Sequence, residues 1–184
     1  MIEAQVIINE LDSDNPSTDD KEFIELKSAT PNFSLSGYVL VFFNGTGSLA
    51  DKSYYTISLN GLTTDVNGLI LIGNNLVSPV PERIFTNSSI QNGPDGVGLY
   101  LGSTSDFPAN TTATTVNLID ALVHSNNNTQ VPSLQALLGV TTQVNENANG
   151  SGTTQSIQRK SDGTWEVKAP TPGVNNDGSG FIYN

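Results

Sequence analysis

Carboxylates are the chemistry that this sequence gathers most densely. Seven of its 18 Asp and Glu residues fall between Glu10 and Glu25, against one base, Lys21. Four of them, Asp12, Asp14, Asp19 and Asp20, sit in a loop turned by Pro16 and Ser17. Hard cations take carboxylate oxygens as ligands. Calcium is therefore the ion expected here, on Asp12, Asp14, Asp19 and Asp20, and no other cofactor is implied. The spacing is not that of an EF-hand. Pro16 and Ser17 stand where Asp or Asn and then Gly belong, and the twelfth position is Phe23 in place of Glu. The competing account is a solvated turn whose Asp side chains bond nearby backbone groups.

Catalytic constellations are less well supplied. Glu10, Glu22 and Glu25 fall on strand-like segments and could offer an acid pair to glycoside hydrolysis. Glu22 and Glu25 are three residues apart, so strand alternation turns them to opposite sides. One Trp is little to line a sugar pocket. His124 is the only histidine. Asp120, on the same strand and face, would lie about 13 Å from it, too far for a triad. His124 is expected at a strand end, half exposed. No Gly-x-Ser-x-Gly elbow and no phosphate-cradling glycine loop occurs. The expectation is a non-enzyme with no catalytic residue. Arg159, one of two arginines, is expected to lock strands by pairing with Glu10 or Glu22.

The elements that must position these groups are short strands. Apolar alternation or short apolar runs mark 3–11, 22–27, 38–43, 54–59, 69–72, 97–101, 116–123, 156–160 and 164–168. Asn44-Gly45, Asn60-Gly61, Asn92-Gly-Pro-Asp-Gly96 and Asp162-Gly163 separate them as turns. The near-continuous apolar run Tyr38 to Phe43, bounded by Gly37 and Asn44-Gly45, reads as a buried strand and not a helix. Pro79 and Pro81 mark a loop that Ile84 and Phe85 anchor on the core. The polar stretch 125–152 holds one helix at 132–138, capped by Ser133. The fold class is all-β, a sandwich of about nine short strands. It forms one domain over 1–184, with its core at about 5–176 and a loose tail at 177–184.

Composition narrows the partners. Charged residues make up 14%, and seven Lys and Arg against 18 Asp and Glu give a net charge of −11. Such a surface repels phosphate backbones, so nucleic acid is not an expected partner. No cysteine is present, which excludes disulfides and thiolate chemistry. No run reaches the ~20 apolar residues of a membrane helix, so membrane insertion is not expected. The N-terminus lacks a signal-peptide pattern, which fits a mature or excised domain.

A set of short segments falls in a particular order. It comprises Ile8-Asn-Glu-Leu11, Glu22-Phe-Ile-Glu-Leu26, Leu35-Ser-Gly-Tyr-Val-Leu40 and Gly96-Val-Gly-Leu-Tyr100. Leu118-Ile-Asp-Ala-Leu-Val123, Ser156-Ile-Gln-Arg159, Trp165 and Pro170-Thr-Pro-Gly173 follow. The set resembles the lamin-tail domain, an immunoglobulin-like module of nuclear lamins that recurs in bacterial secreted proteins. Gln143-Val-Asn-Glu146 resembles a subgroup found in extracellular multidomain proteins. The resemblance implies an immunoglobulin-like sandwich serving as a non-catalytic binding or spacer module of an exported bacterial protein. Its place would be extracellular or at the cell surface, with a protein or cell-surface polymer as partner. The acidic loop and the 125–152 loop are the candidate surfaces. A carbohydrate-binding or adhesin-type domain is the alternative, with Tyr38, Tyr54, Tyr55 and Tyr100 as platforms. A further alternative is an accessory domain of an extracellular nuclease or hydrolase.

Overall fold

In a computed structural model, which describes residues 4 to 177, two β-sheets enclose a common apolar core. In chain order the strands are β1 (Val6–Asp12), β2 (Phe23–Ser28), β3 (Tyr38–Asn44), β4 (Ser53–Ser58), β5 (Leu69–Gly73), β6 (Arg83–Ile84), β7 (Asp95–Leu101), β8 (Leu118–Ser125), β9 (Gln143–Asn145), β10 (Ser156–Arg159) and β11 (Trp165–Lys168). One sheet runs β11-β10-β1-β2-β5-β6 and the other β4-β3-β7-β8-β9. Both are mixed, because β6 joins β5 and β9 joins β8 in parallel. The architecture is thus an all-β sandwich. The nine expected strands are all present, with β6 and β9 in addition.

Burial on both faces accounts for the apolar run in β3. Leu40 and Phe42 enter the core between the sheets, while Val39, Val41 and Phe43 enter a second cluster on the outer face. Helix α1 (Pro132–Leu138) covers that second cluster with Leu134 and Leu138. Two glycines of β7 make room in this cluster, Gly96 for the helix and Gly98 for Tyr100. A Cβ at Gly96 would stand 2.9 Å from Leu138 Cδ1, and one at Gly98 would overlap the Tyr100 ring. The Tyr100 hydroxyl donates to the Thr114 carbonyl at 2.8 Å. Pro132 begins α1 and Gly139, at φ 67°, ends it. Ser133 is not its cap; its hydroxyl donates to Asp51 at 2.6 Å instead. Phe85 is buried as expected, but Ile84 on the edge strand points out. The expected tail falls largely outside the described residues, although Asn176 is buried and bonds β1 through Asn9.

Candidate functional site

The acidic loop leaves β1 at Asp12 and enters β2 at Phe23, at one end of the sandwich. Three of its four candidate ligands already accept N–H donors. Asp12, buried, takes Asn15 Nδ2 at 2.7 Å. Asp14 takes Asn92 Nδ2 at 2.9 Å and Asn126 Nδ2 at 3.1 Å, one on each oxygen. Asp19 takes the Asn15 backbone N–H at 2.8 Å. Asp20 is half-buried and makes no side-chain hydrogen bond to the described residues. Amide donors aimed at carboxylate oxygens have the wrong polarity for a cation shell, which needs oxygens on every side. Among the described residues, no group of three or more His, Asp or Glu stands where it could hold a metal ion. As folded, the loop does not fit calcium.

Glu146 completes this end of the molecule, and nothing in local sequence points to it as part of the loop. Its carboxylate takes the Ser13 N–H at 3.1 Å and the Ser13 hydroxyl at 2.7 Å. Burial pushes it up to about 8, with Asp14 and Asp19 adding to the rise. Asp12 is pushed up to about 9 by burial and by the nearby Glu146 and Glu10 carboxylates.

The three glutamates weighed as acid–base groups act as clips between strands and loops. Glu22 takes the backbone N–H groups of Ser89 and Ile90, each at 3.0 Å. Glu25 takes Asn9 Nδ2 at 2.9 Å and the Gly173 N–H at 2.7 Å. Glu10 takes the Ser156 hydroxyl at 2.6 Å, with the Thr171 N–H and hydroxyl at 2.8 Å. All three are buried, and desolvation raises each above its ordinary value. Carboxylates so engaged hold loops in place.

His124 differs from its expectation. It is fully buried, on the same face of β8 as Leu122, which enters the core between the sheets. Neither ring nitrogen has a hydrogen-bond partner among the described residues, and burial pushes it down to about 4. The tyrosines considered as platforms all pack inward: Tyr100 is buried, Tyr54 and Tyr55 lie against Phe42, and Tyr38 lies against Phe33.

Arg159 locks strands, though with a different partner. Its Nη2 donates to Asp120 Oδ2 at 2.6 Å and its Nε to the Ile8 carbonyl at 2.8 Å. The same Asp120 oxygen accepts the Ile8 N–H at 2.8 Å. Arg159 thus ties β10 and β1 of one sheet to β8 of the other. Register excludes Glu10: it stands opposite Gln158, so its side chain leaves the face opposite to that of Arg159. Glu22 is already spent on the 89–90 loop. The guanidinium also lies 4.3 Å from the centre of the Trp165 ring. Burial raises Asp120, and the Arg159 charge opposes that rise.

Beside this pair a cavity of about 790 Å³ opens between the edge strands β9 and β11. Leu122, Val144, Val167 and Trp165 give it apolar walls, and Thr141 and Thr142 lie at its rim. Among the described residues no helix is long and apolar enough to cross a membrane. No family model matches the chain, and neither a curated protein nor a solved structure matches it.

Proposed function

We propose that the chain is a non-catalytic binding or spacer module with an immunoglobulin-like arrangement of the lamin-tail kind, carried in an exported multidomain protein. The observation that carries this reading is the use made of the carboxylates. Glu10, Glu22 and Glu25, the acids weighed for hydrolytic chemistry, and Glu146 beside them each hold a loop or strand end through hydrogen bonds. A general acid or base has to reach a substrate proton, and these four are turned into the fold. The cavity between the two sheet edges supports binding over spacing alone. The test is to incubate the chain with a glycan array and a peptide array, beside hydrolysis assays on chromogenic glycosides and on plasmid DNA. Retention of a ligand without turnover is the expected result. Hydrolysis abolished by Glu22→Gln or Glu25→Gln in a folded protein would overturn it.

A further inference from the structure

β8 and β9 match only in part. β8 runs for eight residues, but β9 pairs with Val123, His124 and Ser125 alone. On its other side β8 is paired with β7 along nearly its whole length, from His124 back to Leu118. The edge from Leu118 to Leu122 therefore has no strand beside it on the β9 side. The 790 Å³ cavity lies at this vacancy. Asp120, Ala121 and Leu122 form one wall, and the chain leading into β9, residues 139–142, forms another. Residues 140–142 would fill the position if they continued β9 backwards. They diverge because Gly139 turns left-handed at the end of α1 and the Val140 N–H bonds back to the Gln135 carbonyl.

The vacancy offers what an added strand needs. The Ser125 carbonyl accepts the Glu146 N–H on the β9 side. Strand alternation turns the backbone groups of Ala121 the same way. The Ala121 N–H meets the Asp120 carboxylate, and no strand is there to take its carbonyl. Asp120 is the one charge on the β8 wall. Arg159 already pairs it, so covering this edge leaves no carboxylate alone.

We propose that this vacancy binds an extended peptide segment of a partner protein, which adds as a strand along the free edge of β8 in line with β9. This rests on the binding-module reading and names the class of its ligand. The free edge of five residues spans about 17 Å at strand rise, which sets the length of the segment. Apolar side chains at alternate positions meet Leu122, Val144 and Val167, as in other cases of strand addition. Basic residues between them suit a chain of net charge −11; at the cavity Glu166 is paired with Lys168 at 2.9 Å, so the preference comes from the overall field of the chain.

The test uses the whole chain and a labelled probe, acetyl-Lys-Val-Lys-Val-Lys-Val-amide, followed by fluorescence anisotropy. The first comparison is the same peptide N-methylated at alternate residues, which keeps the side chains and removes ladder donors. The second is Ala148→Trp, which fills the cavity from an exposed position on its wall. Thr142→Trp, also exposed, serves if the first variant melts early. Binding by the unmodified pair, weakened about tenfold or more by N-methylation and by the tryptophan, is the expected result. Absence of peptide binding, or binding indifferent to both changes, would overturn the proposal. A neutral glycan retained while the peptide is ignored overturns it too, yet leaves the binding-module reading standing. Retention of neither overturns the peptide proposal and the binding half of the reading, leaving a spacer.

Discussion

Replacing Arg159 with Met keeps most of the side-chain volume and removes three interactions together. The pair it breaks is largely out of water, with the side chains of Arg159 and Asp120 only 15% and 16% exposed. Removing one partner of a buried pair costs about 3–5 kcal/mol, because the other charge is left desolvated and alone. Asp120 keeps the Ile8 N–H, which places the loss near the lower end, about 3 kcal/mol. Loss of the guanidinium from the Trp165 ring adds up to about 1 kcal/mol. In a domain of this size that is a fall in Tm of about 6–16 °C, read by circular dichroism. A second substitution sharpens the test. Asp120→Asn keeps an acceptor for the Ile8 N–H and discharges the orphaned carboxylate. Added to Arg159→Met it is expected to recover part of the loss, so that the double variant is more stable than Arg159→Met alone. A single variant within about 0.5 kcal/mol of the parent would show an ordinary surface pair and refute the reasoning. So would a double variant that loses the sum of both singles.

Three further outcomes follow from the buried polar groups. Asp12 in the fold is pushed up to about 9 from 3.8. The stability tied to its proton is complete below its unfolded value and is lost as pH rises through the folded one. Asp12→Asn has no such proton to lose. It should therefore gain on the parent between pH 5 and 9, by up to about 1.4 kcal/mol per pH unit in urea denaturation. Parallel pH curves would refute this. His124 has the opposite sign: its folded value of about 4 lies below its ordinary 6.5, so stability is lost as pH falls across that window. His124→Leu should be more stable than the parent by about 1 kcal/mol at pH 7, where two unpartnered nitrogens are removed, and by more at pH 4.5. A destabilised variant would mean that those nitrogens are bonded. Millimolar calcium should leave Tm equal to that in EDTA, since amide N–H groups occupy Asp12, Asp14 and Asp19. A calcium-dependent rise abolished by Asp14→Asn would restore the cation site.

Local patterns carry the strands of this fold, and distant pairings escape them. Tyr38 to Phe43 announces a buried strand because the run itself is apolar and bounded by turns; that both faces are covered comes from α1, a distant element. β6 and β9 have two and three residues, too few for alternation to register, and each exists through a parallel partner that sequence does not indicate. His124 shares a face of β8 with Leu122 and so points between the sheets, which a strand-end position alone does not reveal. Asp120 and Arg159 are 39 residues apart, and Glu146 and Ser13 are 133 apart. Only the stacking of the sheets brings either pair together. Gln143-Val-Asn-Glu146 is the one signal that set Glu146 apart, and it did so through resemblance and not through chemistry.

Net charge also misdescribes where the acids lie. Glu10, Asp12, Glu22, Glu25, Asp95 and Glu146, six of the 18, are buried, so the surface is less acidic than −11 suggests. None of these six is a partner in the salt bridges of the described residues, which fall on Asp120, Asp162 and Glu166. Amides and hydroxyls take the place of ammonium and guanidinium groups: Asn9 on Glu25, Asn15 on Asp12, Ser13 on Glu146, and Ser156 with Thr171 on Glu10. Neutral donors of this kind satisfy a buried carboxylate's lone pairs without cancelling its charge, which is why burial still raises these groups. The abundance of Asn, Ser and Thr therefore has a structural use beyond closing turns. The acidic loop that looked most like a cation site belongs to the same system, with its oxygens turned towards N–H groups supplied by the fold.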